Sequence, residues 1–242
     1  GVLLVDLAVP ENCQWIAMGE ADAFAIGEDE IKFLNSEADG FEESTEIIED
    51  ITDAVIAGLA DYCRKSGIKR IVLGLSGGID SAVAACVACA AVGPTNVLGI
   101  AMPSRFSSQH SLDDAKYTAE ALGMEFKIEP IDGMHTALEG TIGEVLDDGN
   151  PVASENIQSR LRGIIVMAHA NAQNRMAIAT GNKSELAQGY CTLYGDMAGG
   201  YTPLGDLYKM QVYALAEIFN QRAIELGAVS YTHLRAHETV YN

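Results

Sequence analysis

The sequence has little cysteine, little positive charge and no long apolar run. Its 242 residues contain five cysteines, too few and too scattered for a disulfide framework, which favours a reducing, cytoplasmic setting. Lysine and arginine number 15 against 34 acidic residues, and the net charge of −19 repels nucleic acids and anionic membranes. No apolar run approaches the roughly 18 residues of a membrane span, and no basic leader segment is recognisable. We therefore expect no nucleic-acid partner and no membrane partner.

Two spacings that resemble metal or redox motifs carry little weight. Cys86 and Cys89 form a C-x-x-C pair, but they alternate with alanine in "AVAACVACAAVG", as small residues of a closely packed helix do. His233 and His237 lie four residues apart, and isolated matches to this spacing are common. We assign no metal or redox role to either pair.

Pattern and composition divide the chain into three segments. Residues 1–40 read as strand-like pieces without a helical period, and they begin with Gly1 rather than methionine. We expect them to be the end of a preceding domain, and the chain to begin inside a longer protein. Residues 41–228 form one continuous pattern of helices and strands. Residues 229–242 break it abruptly and resemble translated sequencing-adapter sequence, so we expect a non-native tail.

Strands and helices alternate within residues 41–228. Strands separated by helices imply an α/β fold, a parallel sheet with helices on both faces, similar to a Rossmann fold. Ser111-x-x-Asp114 has the spacing of a capping box at the start of one helix, and Gly123 ends it. The predicted strands are 71–75, 96–102, 125–131 and 175–180, and the predicted helices are 42–67, 80–92, 111–122, 133–146, 154–172, 183–189 and 206–227.

Three polar loops directly follow predicted strands. They are "SGGIDS" at 76–81, "PSRFSSQHS" at 103–111 and "TGNKSE" at 180–185. Ligands of an open parallel sheet bind beyond the carboxyl ends of its strands, at a switch point in the strand order. We therefore expect the three loops to meet at one edge of the sheet.

The first of these loops has the composition of a phosphate cradle. Gly77 and Gly78 let the backbone approach a bulky anion, and the following helix directs free N–H groups at it. Ser76 and Ser81 add hydroxyl groups. The lysine of the G-x-x-x-x-G-K-[ST] loop is missing, and Asp80 repels a phosphate unless it holds a metal ion. The loop therefore predicts a pyrophosphate site bridged by Mg²⁺; the alternative is a tight turn capped by serine and aspartate.

Longer blocks of sequence resemble a known family. "LGLSGGIDS" resembles the pyrophosphate loop of the N-type ATP pyrophosphatases. "MPSRFSSQHSLDDA", "SENIQSRLRG" and "ATGNKSELAQGYCTLYGDMAGGYTPLGDLYK" resemble the NAD synthetases of the long, glutamine-dependent kind, from about Glu42 to Gly227. By this resemblance residues 1–40 are the end of a nitrilase-like glutaminase domain, and 41–228 are the synthetase domain.

The resemblance implies an activity and its ligands. ATP adenylates the nicotinate carboxylate of deamido-NAD, and ammonia then releases AMP and leaves the amide of NAD. The implied cofactor is Mg²⁺, with ATP as co-substrate, and the ammonia comes from glutamine in the full-length enzyme. The implied assembly is a homodimer. Residues 151–173 carry apolar side chains on more than one side, which is more than one sheet face needs.

The resemblance also assigns site residues, each with an alternative. Arg160 can instead be a solvated surface charge, Glu185 a partner of a helix dipole and Lys209 a surface lysine. Asn156 and Arg160 share one helix face, and we expect Leu161, Ile164, Ile165 and Ala168 to pack beneath it. The implied ATP-binding residues are Gly74, Leu75, Ser76, Gly77, Gly78, Ile79, Asp80, Ser81, Thr180 and Lys209; those for deamido-NAD are Asn156, Arg160 and Glu185; those for Mg²⁺ are Asp80 and Glu185.

The chain departs from the family in places, and other functions stay open. The short, ammonia-dependent members carry a lysine where this chain has Leu193, so that contact is not carried over. The glutaminase residues would precede Gly1, and we expect glutamine to fail as a nitrogen donor. The alternatives are tRNA thiolation by the same loop, which the acidic charge disfavours, and a nucleotide-binding fragment without turnover.

Overall fold

The computed structural model describes residues 45–146 and 151–225. The predicted domain remnant at 1–40 and the predicted tail at 229–242 lie outside these residues, so both stay predictions. None of the helices in the described ranges combines the length and apolarity needed to cross a membrane.

Helices and strands alternate along the described chain as predicted. Four strands form one sheet in the order β3-β2-β1-β4, and every pair is parallel. The strands are β1 (Ile71–Gly74), β2 (Val97–Ala101), β3 (Glu125–Ile128) and β4 (Met176–Ala177). The helices are α1 (Thr45–Ser66), α2 (Ile79–Val92), α3 (Gln109–Leu122), α4 (Asp132–Leu146), α5 (Pro151–Gln173), α6 (Lys183–Gln188) and α7 (Lys209–Glu225).

Two apolar layers, one on each face of the sheet, hold these elements together. Alternate residues of β1 point to opposite faces: Ile71 and Leu73 join the layer with α1, α2, α3 and α7, whereas Val72 joins the layer with α5. The first layer contains Leu59, Val83 and Leu215, all fully buried. The parallel sheet with helices on both faces, predicted from the alternation, is confirmed.

Helix α2 fits between the sheet and its neighbours because its residues are small. Ten of its 14 residues are buried, Cys86 and Cys89 among them. Both thiols are free, and burial raises the pKa of each to about 12. A thiol at this pKa is almost wholly protonated near neutral pH, so these cysteines are unreactive packing residues.

The predicted capping box at the start of α3 is wrong. The helix begins at Gln109, and Ser108 is its N-cap, with the Ser108 hydroxyl accepting from the Ser111 N–H. Ser108 has the extended backbone that an N-cap needs, φ −76° and ψ 149°. The predicted end of the helix at Gly123 is correct, because this glycine adopts a left-handed φ of 67°.

The fourth strand is shorter than predicted because it changes partner. Met176 and Ala177 pair with β1, but Ile178 forms a bridge with Tyr201. The backbone stays hydrogen-bonded across the change, since the Ala179 N–H donates to the Tyr201 carbonyl at 2.9 Å. Strand β4 therefore ends early, and the residues after it approach the 199–202 segment.

The predicted packed face of α5 is half correct. Leu161 and Ile165 are buried, but Ile164 is 58% exposed and Ala168 is also exposed. Val166 and Ala170 take their places in the apolar layer. The face of α5 that packs against the sheet is therefore rotated about the helix axis relative to the predicted face. Ile164 and Met167 point outward.

Candidate active site

A cavity of about 500 Å³ lies at the carboxyl ends of β1 and β4. The strand order reverses between these two strands, so the cavity is at the switch point where open α/β sheets bind ligands. Eight of the residues assigned from the sequence line it: Ser76, Gly78, Ile79, Asp80, Ser81, Thr180, Glu185 and Lys209.

The loop after β1 is closed by its two serines. The Ser81 hydroxyl accepts from the Ser76 N–H at 3.2 Å and donates to the Gly78 carbonyl at 2.9 Å. The Gly78 N–H donates to the Ser76 hydroxyl at 3.2 Å. Gly78 is the N-cap of α2 and offers no side-chain cap. The first turn of the helix therefore presents amides toward the cavity, where they can bind an anion.

Gly77 is required by both backbone conformation and space. Its φ is +85°, and a Cβ built on it would lie 2.2 Å from the Ser111 carbonyl oxygen. The loop after β1 therefore passes directly against the start of α3. A larger residue cannot enter without moving one of the two backbones.

Asp80 accepts hydrogen bonds on both carboxylate oxygens. Lys209 Nζ lies 2.6 Å from Oδ2, and Asn182 Nδ2 donates to Oδ1 at 2.9 Å. Burial acts to lower the pKa of the Lys209 ammonium, but the hydrogen bond and the charge of Asp80 outweigh it, so this pKa lies above its ordinary value. Asp80 thus ties α2 to the beginnings of α6 and α7.

Glu185 begins the short helix α6 and faces the same cavity. It forms a capping box with Asn182: the Asn182 side chain accepts from the Glu185 N–H, and Glu185 Oε2 accepts from the Asn182 N–H, each at 3.0 Å. Burial raises the pKa of the Glu185 carboxyl, and the negative charge of Asp80 adds to this rise, although the Asn182 hydrogen bond opposes it. Glu185 therefore stabilises the start of α6, which is the alternative role named for it above, and its side chain also lines the cavity.

Asn156 and Arg160 hold the 191–196 loop rather than line the cavity. Thr192 Oγ1 donates to Asn156 Oδ1 at 2.8 Å, and Arg160 Nε donates to the Leu193 carbonyl at 3.2 Å. Ser159 lies between them on α5 and accepts from the Asp196 N–H at 2.9 Å. Their shared helix face, predicted from the i, i+4 spacing, thus supports one wall of the cavity. Leu193 itself is not part of the lining.

Three other assigned residues lie behind the cavity lining. Leu75 is buried in the core, and its N–H donates to the Ile100 carbonyl at 2.9 Å. Gly74 ends β1, and a Cβ there would meet the Met102 side chain at 3.1 Å. Gly77, the third, contacts Ser111. These residues shape the loop, while its serines, Asp80 and Ile79 face the cavity.

The loop after β2 meets the loop after β1, as predicted, through the contact of Ser111 with Gly77, but it contributes no residue to the cavity lining. It turns toward α4, where the Arg105 N–H donates to Asp132 at 2.9 Å and the Arg105 guanidinium donates to Thr136 at 3.0 Å. Strand β2 is also one position removed from the switch point. The cavity is lined instead by the loops after β1 and β4 together with the 190–202 segment.

Sequence reasoning missed residues that complete the site. Asn182 is fully buried and bridges Asp80 and Glu185. Asp196 lines the cavity and accepts from the Thr192 N–H at 2.8 Å. The signal for Asn182 was present, because Asn-x-x-Glu has capping-box spacing. Asp196 showed no comparable local pattern.

The donor set fits a hard divalent cation. Asp80 and Glu185 bring carboxylate oxygens, the ligands that Mg²⁺ prefers, to one cavity. The charge of Asp80 contributes to the raised pKa of Glu185, and a cation would relieve that repulsion. No cluster of three or more histidine, cysteine or acidic residues within 45–146 and 151–225 is arranged to hold a metal. A cation here therefore needs further ligands, which phosphate oxygens can supply.

The fold and the cavity define a Rossmann-like α/β protein of the PP-loop class. The model of the NAD synthase family matches residues 51–225. The chain belongs to the NAD synthase family, and the resemblance found in its sequence is confirmed.

Relatives cover most of this chain. A glutamine-dependent NAD(+) synthetase of Rhodobacter capsulatus is 55% identical over 161 residues, which are 66% of this chain and 29% of that protein. Another of Aquifex aeolicus is 47% identical over 74% of this chain and 32% of its own length. The chain thus spans about a third of the length of the curated relatives that it matches.

Solved structures agree with this assignment. Glutamine-dependent NAD+ synthetase from Acinetobacter baumannii, in complex with ADP, has a TM-score of 0.71 and 38% identity, covering 72% of this chain and 33% of that one. NH3-dependent NAD synthetase from Campylobacter jejuni has a TM-score of 0.66 and 33% identity, covering 77% of this chain and 80% of that one.

Proposed function

We propose that this chain carries the amide-forming site of a glutamine-dependent NAD synthetase. In this proposal ATP transfers AMP to the nicotinate carboxylate of deamido-NAD, and ammonia then displaces AMP to give NAD. The observation that carries the proposal is the cavity at the switch point, where the "SGGIDS" loop, Asp80 and Lys209 face one another. Residues 41–228 are the proposed synthetase domain, and residues 1–40 the end of the glutaminase domain.

The lining residues suit the adenylation step. A carboxylate oxygen is a very poor leaving group, and transfer of AMP converts it into a good one. The chain's task is then to hold the two substrates in line and to stabilise the charge on the departing pyrophosphate. The amides at the start of α2 and the Lys209 ammonium are suited to the phosphates, and Thr180, in the loop after β4, lines the cavity where the nucleotide is proposed to bind.

Asp80 and Glu185 are the proposed ligands of Mg²⁺. Bound there, the ion neutralises phosphate charge and orients the pyrophosphate group. The Asn182 side chain holds Asp80, and the Asn182 N–H holds Glu185. Both carboxylates are therefore oriented by the chain.

Deamido-NAD is the proposed second substrate. Asn156 and Arg160 support the 191–196 loop, and Arg160 also has guanidinium N–H groups besides the Nε that binds Leu193. We propose that these residues, with Glu185, border the dinucleotide.

The proposed protein works in the cytoplasm as a homodimer and takes ammonia released from glutamine elsewhere in the full-length enzyme.

The test is NAD formation by the purified chain. It is incubated with ATP, MgCl₂, deamido-NAD and ammonium chloride, and NAD, AMP and pyrophosphate are measured. We expect all three in equal amounts and none without deamido-NAD. Release of ADP and phosphate would contradict the proposal. Thiolation of tRNA is disfavoured by the net charge of −19.

A further inference from the structure

The two proposed metal ligands already accept hydrogen bonds from the chain itself. Asp80 Oδ2 accepts from the Lys209 ammonium at 2.6 Å, and Oδ1 accepts from Asn182 at 2.9 Å. Glu185 Oε2 accepts from the Asn182 N–H at 3.0 Å. The Asp80 side chain is 17% exposed and that of Lys209 is 30% exposed, so their ion pair is partly shielded from water. The cation nearest to Asp80 in this arrangement is a lysine.

A divalent cation and this ammonium compete for Asp80 Oδ2. Mg²⁺ lies about 2.0–2.1 Å from a carboxylate oxygen, and the ammonium nitrogen lies 2.6 Å from the same atom. Two positive centres held this close repel each other strongly in a partly dehydrated site. Coordination of Oδ2 is therefore weakened while the Lys209 ammonium stays on it.

The backbone of Lys209 is held separately from its side chain. Its N–H is held by Ser184 Oγ at 3.0 Å, at the first residue of α7. The ammonium also lies 5.7 Å from the centre of the Tyr213 ring, and it borders the cavity that the phosphates would enter. A rotation of the side chain is thus enough to exchange the Asp80 carboxylate for a phosphate.

We propose that Lys209 is an internal counter-cation that keeps divalent metal ions off Asp80 until a nucleotide's phosphates draw the ammonium away. Metal and nucleotide then bind cooperatively, because each removes an obstacle to the other. This inference rests on the proposed function, since it names ATP as the nucleotide. It gives Lys209 a role before the reaction, in addition to its contact with phosphate.

The experiment measures Mn²⁺ binding to the full 242-residue chain without nucleotide, by electron paramagnetic resonance of the free ion. In the Lys209→Met variant we expect the affinity for Mn²⁺ to rise about tenfold or more. Lys209→Arg keeps the positive charge and should keep the weak affinity of the wild type. Asp80→Asn combined with Lys209→Met should abolish the gain.

Lys183→Met is the matched control for the change in net charge. Lys183 begins α6 and pairs with Asp206, whose side chain is 96% exposed, rather than with Asp80. This variant makes the acidic chain more negative by the same amount, so it reports non-specific binding of Mn²⁺. A rise in Lys183→Met equal to that in Lys209→Met would overturn the inference, as would no rise in Lys209→Met.

A second arm adds the non-cleavable α,β-methylene analogue of ATP. In the wild type the site should bind Mn²⁺ much more tightly when the analogue is present, by more than the analogue's own affinity for Mn²⁺ explains. In Lys209→Met the analogue should increase the Mn²⁺ affinity of the site much less. An equal rise in both would contradict the coupling. The proposed function is judged separately, by NAD formation. The gain in Mn²⁺ affinity of Lys209→Met can be measured whether or not the chain makes NAD.

Discussion

Asp80 is the residue on which the contacts of the cavity converge. Through its two oxygens it joins α2 to Asn182 and Lys209, and its charge adds to the raised pKa of Glu185. A neutral amide at this position keeps the shape of the side chain and a hydrogen-bond acceptor. It loses the charge that both the ammonium and a metal ion require.

We predict that Asp80→Asn lowers the rate of Mg²⁺-dependent ATP cleavage by at least about 100-fold. The free energy of unfolding should fall by about 1–3 kcal/mol, because the amide can accept from only one of the two donors, Asn182 and Lys209. The measurement is pyrophosphate release, with urea unfolding as the check on folding. Asp206→Asn makes the same chemical change at the exposed pair with Lys183 and should keep full activity; equal rates in the two variants would contradict the assignment.

Gly77 provides a test of the loop itself. We predict that Gly77→Ala lowers the free energy of unfolding by at least about 2 kcal/mol, since it combines a left-handed φ with a contact of 2.2 Å to Ser111. Gly67 has a similar φ of +70° but nothing within 4 Å of an added Cβ, so Gly67→Ala should cost only about 1 kcal/mol. Equal losses in urea unfolding would show that the contact with Ser111 is unimportant.

At this scale the sequence predicts residues whose role depends on their neighbours in the chain. "SGGIDS" was recognisable because glycine, serine and aspartate act locally, at the junction of a strand and a helix. Ser159 and Asp196 were not, because their contact joins positions 37 residues apart and no local pattern announces it. The roles of Asn156 and Arg160 toward a substrate stay predictions, since their described contacts are with the 191–196 loop.

Helix α6 is the element that orients both carboxylates. It has only six residues, too few to be stable alone, so its start depends on the capping box of Asn182 and Glu185. The Asn182 side chain also donates to Asp80. The same set of hydrogen bonds therefore caps the helix and holds the two carboxylates in place.

We predict that Asn182→Ala lowers both stability and nucleotide affinity. Loss of a buried cap should cost about 1–2 kcal/mol of unfolding free energy, and ATP affinity should fall about tenfold because Asp80 and Glu185 lose their common support. Asn96→Ala is the control: it removes a side-chain hydrogen bond to the Val92 carbonyl at 2.7 Å, just before β2 and so at the amino ends of the strands, away from the cavity. That variant should lose stability but bind ATP normally in calorimetry.

The order of the elements was predictable, and some of their ends were not. The start of α3 depended on which of several serines adopted the extended backbone of an N-cap. The end of β4 depended on Tyr201, a partner distant in sequence. Periodicity therefore predicted which elements exist, whereas tertiary contacts decided where they end.

At the scale of the described molecule, residues 45–146 and 151–225, the outer face of α5 is an apolar surface that the sheet does not cover. Val152, Ile164 and Met167 are 46%, 58% and 39% exposed. All three side chains lie on one helix, and exposed apolar side chains of this kind often mark a protein–protein contact. Their exposure therefore supports the proposed homodimer.

We predict that Ile164→Glu with Met167→Glu weakens dimerisation by at least about 100-fold, because two charges would enter an apolar contact. Light scattering at micromolar concentration should show a dimer for the wild type and a monomer for the double variant. Tyr117→Glu introduces a charge at a side chain of α3, 40% exposed, on the other face of the sheet, and should stay dimeric. A monomeric wild type would contradict the prediction.

An oxygen label shows directly whether AMP is transferred to the carboxylate, as the proposed function requires. Deamido-NAD carrying oxygen-18 at both oxygens of its nicotinate carboxylate is incubated with the chain, ATP, MgCl₂ and ammonium chloride, and the products are analysed by mass spectrometry. Ammonia displaces AMP together with the carboxylate oxygen that the adenylate bond joined. We expect one oxygen-18 atom in each AMP released and none in pyrophosphate. Unlabelled AMP, or label in pyrophosphate or phosphate, would contradict it.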